Sequence, residues 1–289
     1  MSQLRIMGCG DIGRRVASLY QNEGREVIGW VRSVETMQLG RQQGISMRAG
    51  DMDHGCSFPR NAFEKSEVFW FMPPPSKGNV DSRLRRFLLA VKDAPKRVVL
   101  ISTTGVYGDC KGRWIDESEP LKPVAERAIR RVDAEQSLQD WGEKYQSEWV
   151  ILRVPGIYAA DRLPLARLLR GEPVLQADEA PWTNRIHAND LAVVCKQAMR
   201  FAPRGSIYNV TDGHPSTMTD YFNQVAEHAR IPQPPQVSLA QAQNTMSAGM
   251  LSYLGESRRI GNEKLLRDLR VGLQYPSLEQ GLANAKKHR

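Results

Sequence analysis

Leu4-Arg5-Ile6-Met7-Gly8-Cys9-Gly10-Asp11-Ile12-Gly13 opens the chain with an apolar strand that runs through a glycine-rich loop into a helix. Glycine allows the tight turn and a close backbone approach, and the helix N-terminus offers free N–H groups to a pyrophosphate. The pattern GxGxxG is weak alone; placed between a strand and a helix it becomes a dinucleotide-binding signal. Gly8, Gly10, Asp11, Ile12 and Gly13 are therefore cofactor-binding candidates. The plainer alternative is a glycine turn required only by packing.

Further apolar strand candidates lie at residues 27–31, 45–49, 68–72, 98–102 and 149–154, with helical patterns at 12–23 and 82–92 between them. Near-continuous apolar runs separated by helices predict a parallel sheet covered on both faces. The expected fold class is α/β: a doubly wound parallel Rossmann sheet with a smaller C-terminal substrate lobe. Residues 1–155 are expected to form the dinucleotide-binding domain. Residues 156–289 are mainly the lobe, with 186–212 returning to the sheet. Pro155, Pro164, Pro173 and Pro181 break the second half into short pieces, before a strand near 207–210 and a helix near 217–228.

With 41% hydrophobic and 25% charged residues among 289, the composition is that of an ordinary globular protein. No apolar run is long enough to predict a membrane span, and strand-like sequence from Leu4 leaves no room for a secretory signal. Cys9, Cys56, Cys110 and Cys195 lie far apart with no CxxC spacing, which fits reduced thiols in a cytoplasmic protein better than disulfides or a metal site. The net charge of +8 raises a nucleic-acid reading. Its basic residues are scattered, however: Arg83, Arg85 and Arg86; Arg127, Arg130 and Arg131; Arg258 and Arg259; and residues 286–289. None sits in a nucleic-acid motif. Solvated helix faces and a site for an anionic small molecule account for them.

The end of the second strand decides the cofactor. NAD-binding folds place an acid there for the ribose hydroxyls. Here the sequence is Trp30-Val31-Arg32-Ser33. Arg32 can pair with a 2′-phosphate through its planar fork, and Ser33 can add a hydroxyl, so NADP(H) is favoured over NAD(H).

Further along, Ser102-Thr103-Thr104-Gly105-Val106-Tyr107-Gly108-Asp109 ends a buried strand in a hydroxyl-rich turn. Together with Leu152-Arg153-Val154-Pro155-Gly156-Ile157-Tyr158, Asn184-Arg185-Ile186-His187-Ala188-Asn189-Asp190-Leu191, Tyr208-Asn209-Val210-Thr211-Asp212-Gly213 and the tail Ser277 to Leu282, it resembles the extended short-chain dehydrogenases, the nucleotide-sugar epimerase and dehydratase group. The resemblance covers nearly the whole chain. It implies that Asp51 and Met52 border the adenine, that Thr103 orients a substrate oxygen, and that Arg127, Trp182 and Arg185 face a nucleotide sugar or related small polar molecule. It also implies pairing of two subunits through the helices near 82–92 and 123–141.

The resemblance fails at one point. That family relays a proton through a tyrosine activated by a lysine one helical turn on. With Glu135 aligned to the acid that follows the pair, the matching residues are Arg127 and Arg131, and no Tyr-x-x-x-Lys falls on that helix. Arginine stays charged near neutral pH and cannot relay protons. Arg131 can still hold the nicotinamide ribose, and Arg127 can bind a phosphate or carboxylate. Substitute donors are Tyr107, Tyr158, Asp109, Asp116 and Glu117, although Tyr107 equally fits packing beneath the site. His187 fits either a ligand contact or a helix cap. Two functions stay open: an oxidoreductase or epimerase-like enzyme with a non-standard proton donor, and a catalytically silent NADP(H)-binding sensor or scaffold.

Overall fold

The computed structural model describes residues 3–54, 58, 61–92, 95–246 and 248–285. Cys56 and the basic run at 286–289 lie outside the described residues. Seven parallel strands form the main sheet: β1 (Leu4–Met7), β2 (Val27–Val31), β3 (Ser46–Ala49), β4 (Glu67–Trp70), β5 (Arg97–Thr103), β6 (Glu148–Val154) and β7 (Ser206–Asn209). Their order is β3-β2-β1-β4-β5-β6-β7. The chain order reverses between β1 and β4. In such sheets the crevice beyond the strand C-termini at that point is where ligands bind.

Helices α1 (Asp11–Gln21), α2 (Val34–Gln42), α3 (Ser82–Val91), α4 (Glu126–Tyr145) and α5 (Ala188–Phe201) connect the strands. Strand side chains alternate between the faces, as a period of two requires. Phe69, Val99, Val150 and Leu152 pack with α1 and α5, whereas Val68, Trp70, Val98, Leu100 and Ile151 pack with α3 and α4. A smaller apolar cluster joins Tyr158, Leu168, Val174, Phe222 and Leu278 around the helix α6 (Met218–Ala229). A reciprocal cap between Thr217 and Asp220 starts α6.

Several boundaries differ from the sequence expectation for local reasons. The fourth strand stops at Trp70: Phe71 N still donates to Met7 O at 2.8 Å, but Pro73 has no N–H to continue the ladder. The helix expected from 123 to 141 begins at Glu126 and runs to Tyr145, ending where Gln146 turns left-handed at φ +56. Cys9, Cys110 and Cys195 are free and buried. Among the described residues no His, Cys, Asp or Glu group could hold a metal ion, and no helix is long and apolar enough to cross a membrane.

Candidate functional site

The glycine loop has three separate geometric duties. Gly8 sits at φ +88, and a Cβ there would lie 2.7 Å from Met72 N. Gly10 caps α1 without any side-chain hydrogen bond, leaving first-turn N–H groups open beside free space. Gly13 packs close enough that a Cβ would meet Ile6 at 3.1 Å. The Asp11 carboxylate points elsewhere, accepting from Arg15 at 2.9 Å and Arg162 at 2.8 Å. Ile12 packs against the core. These two residues thus offer a ligand only their backbone.

A cavity of about 320 Å³ runs from Gly8 and Gly10 past Arg32 and Asp51 to Met72 and Pro73. Arg32 is 68% exposed, with Asp53 at 3.6 Å. The Ser33 hydroxyl is already engaged: it caps α2 by accepting from Thr36 N at 3.1 Å. Asp51 accepts from Asp53 N and pairs with His54, and the Asp53 N–H chiefly holds its carboxyl below the usual range. Met52 borders the cavity but is only 4% exposed and packs into the core. Sequence reading missed Arg83, which lines the same cavity from α3 and pairs with Asp53. The stiff segment 71–75 is anchored through its carbonyls, since Arg83 donates to Pro73 O at 2.9 Å and Arg131 to Met72 O at 3.3 Å.

Beyond Pro74 a second cavity of about 340 Å³ gathers Thr103, Arg127, Arg131, Trp182 and Arg185 from separate segments. Ala128 on α4 packs at Gly105, where a Cβ would meet its own at 3.6 Å. That contact sets the two flanking arginines over the Thr103 turn. Arg127 donates to Ser252 Oγ at 2.7 Å and lies 3.9 Å above the Tyr253 ring. Burial lowers the Arg131 and Arg185 guanidinium pKa values from their ordinary level. Glu256 and Arg258, also on the wall, pair at 2.9 Å. Their segment reaches the cavity because Ser257 O accepts from Cys110 N and Gly112 N. No local sequence pattern signals that contact.

None of the expected substitute proton donors lines this cavity. Tyr107 is fully buried; its hydroxyl donates to Asn209 Oδ1 at 2.8 Å and accepts from Arg153 at 2.9 Å. Burial pushes that phenol up to about 12. The expectation that Tyr107 serves the site is corrected: the turn Thr104–Tyr107 directs its ring into the interior. Tyr158 donates to Ser277 O, Asp109 accepts from Ser257 N, Asp116 from Ser118 N, and Glu117 from Asn209 N. His187 caps α5, its Nδ1 accepting from Asn189 N at 3.2 Å, and burial chiefly lowers it to about 4. A neutral ring acts there as a cap.

Behind Arg185, Asp212 is 4% exposed, its Oδ2 has no hydrogen-bond partner among the described residues, and burial raises its carboxyl from 3.8 to about 7. The native state therefore keeps a proton that the unfolded chain releases between pH 4 and pH 7. Stability should fall as pH rises through that window and level off above it. Urea unfolding midpoints from pH 4 to pH 8 check this. Asp212→Asn should remove that part of the slope, and an unchanged slope would refute it.

Together these features define a class: a Rossmann-like fold resembling that of the extended short-chain dehydrogenases, with an arginine-lined cavity beside the cleft at its glycine loop. Residues 77–211 match the model of the NAD dependent epimerase/dehydratase family. Over whole chains the structure is similar to a conserved protein of unknown function from Silicibacter pomeroyi, with 27% identity, 99% of each chain covered and a TM-score of 0.86. It is also similar in fold to UDP-glucose 4-epimerase with UDP-glucose from Thermotoga maritima (17% identity, 99% and 98% covered, TM-score 0.80). A third likeness is to dTDP-glucose 4,6-dehydratase with NAD from Bacillus anthracis (18% identity, 99% and 96% covered, TM-score 0.76). No curated protein matched the chain.

Proposed function

We propose that the chain is an epimerase/dehydratase-like oxidoreductase that prefers NADP(H) and acts on a nucleotide sugar or related small polar molecule with a non-standard proton donor. One observation carries this reading: the cleft from Gly8 to Pro73 meets, across Pro74, a cavity that holds Thr103 among arginines. The open N-terminus of α1 and the uncrowded Gly10 fit a pyrophosphate. When bound, the nicotinamide exchanges a hydride with a substrate carbon. The residues do the rest: Arg32 selects the 2′-phosphate, Arg131 holds ribose, Thr103 orients the substrate oxygen, and Arg127, Trp182 and Arg185 bind the substrate. The reading extends to a cytoplasmic protein that pairs through α3 and α4.

The competing reading is a catalytically silent NADP(H) sensor or scaffold. One feature favours it: among the described residues, the cavity's titratable side chains other than Tyr253 are arginines and an ion-paired glutamate.

Fluorescence titration with NADPH and NADH at fixed salt tests the shared premise. NADPH should bind more tightly, and Arg32→Ala should weaken it by about 10-fold or more while sparing NADH, the scale of one charge-assisted contact. Equal affinities would remove Arg32 as the selector. Thr103→Ala separates the two readings: turnover in the enzyme should drop about 10²-fold with cofactor binding kept, whereas the silent protein has no turnover to lose.

A further inference from the structure

Arg127 and Arg131 lie one turn apart on the same face of α4, an arrangement in which like charges repel. Nothing in the helix itself calls for it, and both line the cavity beside Thr103. The local counter-charges do not balance them. Glu256 is taken by Arg258. Asp81, the carboxylate nearest Arg131, stands 4.0 Å away, caps α3 by accepting from Leu84 N, and has its own carboxyl pushed up by burial. Among the described residues no carboxylate comes within ion-pair distance of Arg127 or Arg185. The wall therefore holds more positive charge than it neutralises, partly out of water, where unpaired charge is costly.

The position of this excess is informative. Ala128, between the two arginines, packs at Gly105, so the pair overlooks the Thr103 turn. Arg131 also donates to Met72 O, which borders the dinucleotide cleft. The surplus charge sits where the two cavities meet. A guanidinium fork grips two oxygens of one oxyanion, and two forks one turn apart match a group with several oxygens.

We propose that Arg127 and Arg131 together clamp one oxyanion, a phosphate or carboxylate, at the reacting end of the ligand beside Thr103, a role Arg131 takes in place of the ribose contact. This rests on the reading of the cavity as the substrate site. The substrate class is then a phosphorylated or carboxylated small molecule whose anionic group adjoins the reacting carbon, rather than one presenting a neutral sugar ring there.

The test uses the full chain saturated with NADPH, so that anions do not fill the region of Arg32. Heat-unfolding midpoints are followed against inorganic phosphate, malate and neutral glycerol at constant ionic strength. Phosphate or malate should raise the midpoint saturably and glycerol should not; response to one anion alone identifies the source as phosphate or carboxylate. Arg127→Gln and Arg131→Gln should each weaken that response at least tenfold. Arg127→Gln relieves a repulsion but also gives up the Ser252 and Tyr253 contacts, so its anion affinity, not the ligand-free midpoint alone, decides its role. A lowered midpoint with undiminished anion affinity would make Arg127 structural and overturn the clamp. So would the absence of any saturable anion response in protein that binds NADPH. Protein that fails to bind NADPH refutes the functional reading instead, and the anion titration repeated in Arg32→Ala then decides the clamp separately.

Discussion

Glu135→Ala should cost about 3–5 kcal/mol of folding stability, the usual penalty for removing one partner of a buried ion pair. Glu135 is 1% exposed on α4, and Arg153 is 4% exposed on β6. The carboxylate accepts from Ser102 Oγ at 2.5 Å and from Arg153 Nη2 at 2.8 Å, while Arg153 Nη1 donates onward to the Tyr107 hydroxyl. Tyr107 in turn holds Asn209, whose N–H donates to Glu117. Removing the carboxylate leaves a guanidinium in the interior with one neutral partner, and frees the chain of contacts linking α4, β5, β6 and β7. Urea unfolding monitored by circular dichroism measures the loss. A double replacement of Glu135 and Arg153 by methionine should recover much of it, because the cost lies in the orphaned charge. A single-mutant loss below about 1 kcal/mol would mean that Arg153 finds solvent or another partner.

Gly8→Ala should be nearly as damaging. Its φ of +88 is strained for any residue with a Cβ, and that Cβ would stand 2.7 Å from Met72 N and 2.9 Å from Phe71 C. Those neighbours are backbone, so relief requires separating the ends of β1 and β4. Left-handed strain of about 1–2 kcal/mol and overpacking of about 1–3 kcal/mol both apply. The melting temperature should drop by more than about 5 °C, with dinucleotide binding lost in parallel. Gly10→Ala provides the contrast. Its backbone is at φ −77 and nothing except Gly8 O at 4.0 Å is near the added carbon. Stability should be retained while dinucleotide affinity falls at least tenfold, since only a ligand approaches that closely. Normal NADPH binding by Gly10→Ala would refute the phosphate cradle.

The contrast between these two predictions follows how readily each feature reads from sequence. The strand–glycine–helix entry, the parallel sheet and the cleft residues Gly8, Gly10 and Arg32 were legible because they depend on residues adjacent in the chain. Helix boundaries shifted at Glu126 and Tyr145, where the extended Ala125 and the left-handed Gln146 set the ends. Tyr107 misled, because a turn of four residues decides whether a phenol meets a cavity or the core. Arg83, Tyr253 and Glu256 gave no signal, since each reaches its site from an element distant in sequence.

The sequence by itself determined the α/β class, the position of the glycine loop and the placing of Arg127 and Arg131 one helical turn apart. These follow from hydrophobic period, backbone freedom and side-chain chemistry, all local properties. Only the tertiary structure decided that Thr103, Arg127, Arg131, Trp182 and Arg185 share one cavity, and that Tyr107 and Glu135 are spent on a buried network. Which side chains meet, and which charges remain unpaired, depends on how strands and helices far apart in the chain pack together.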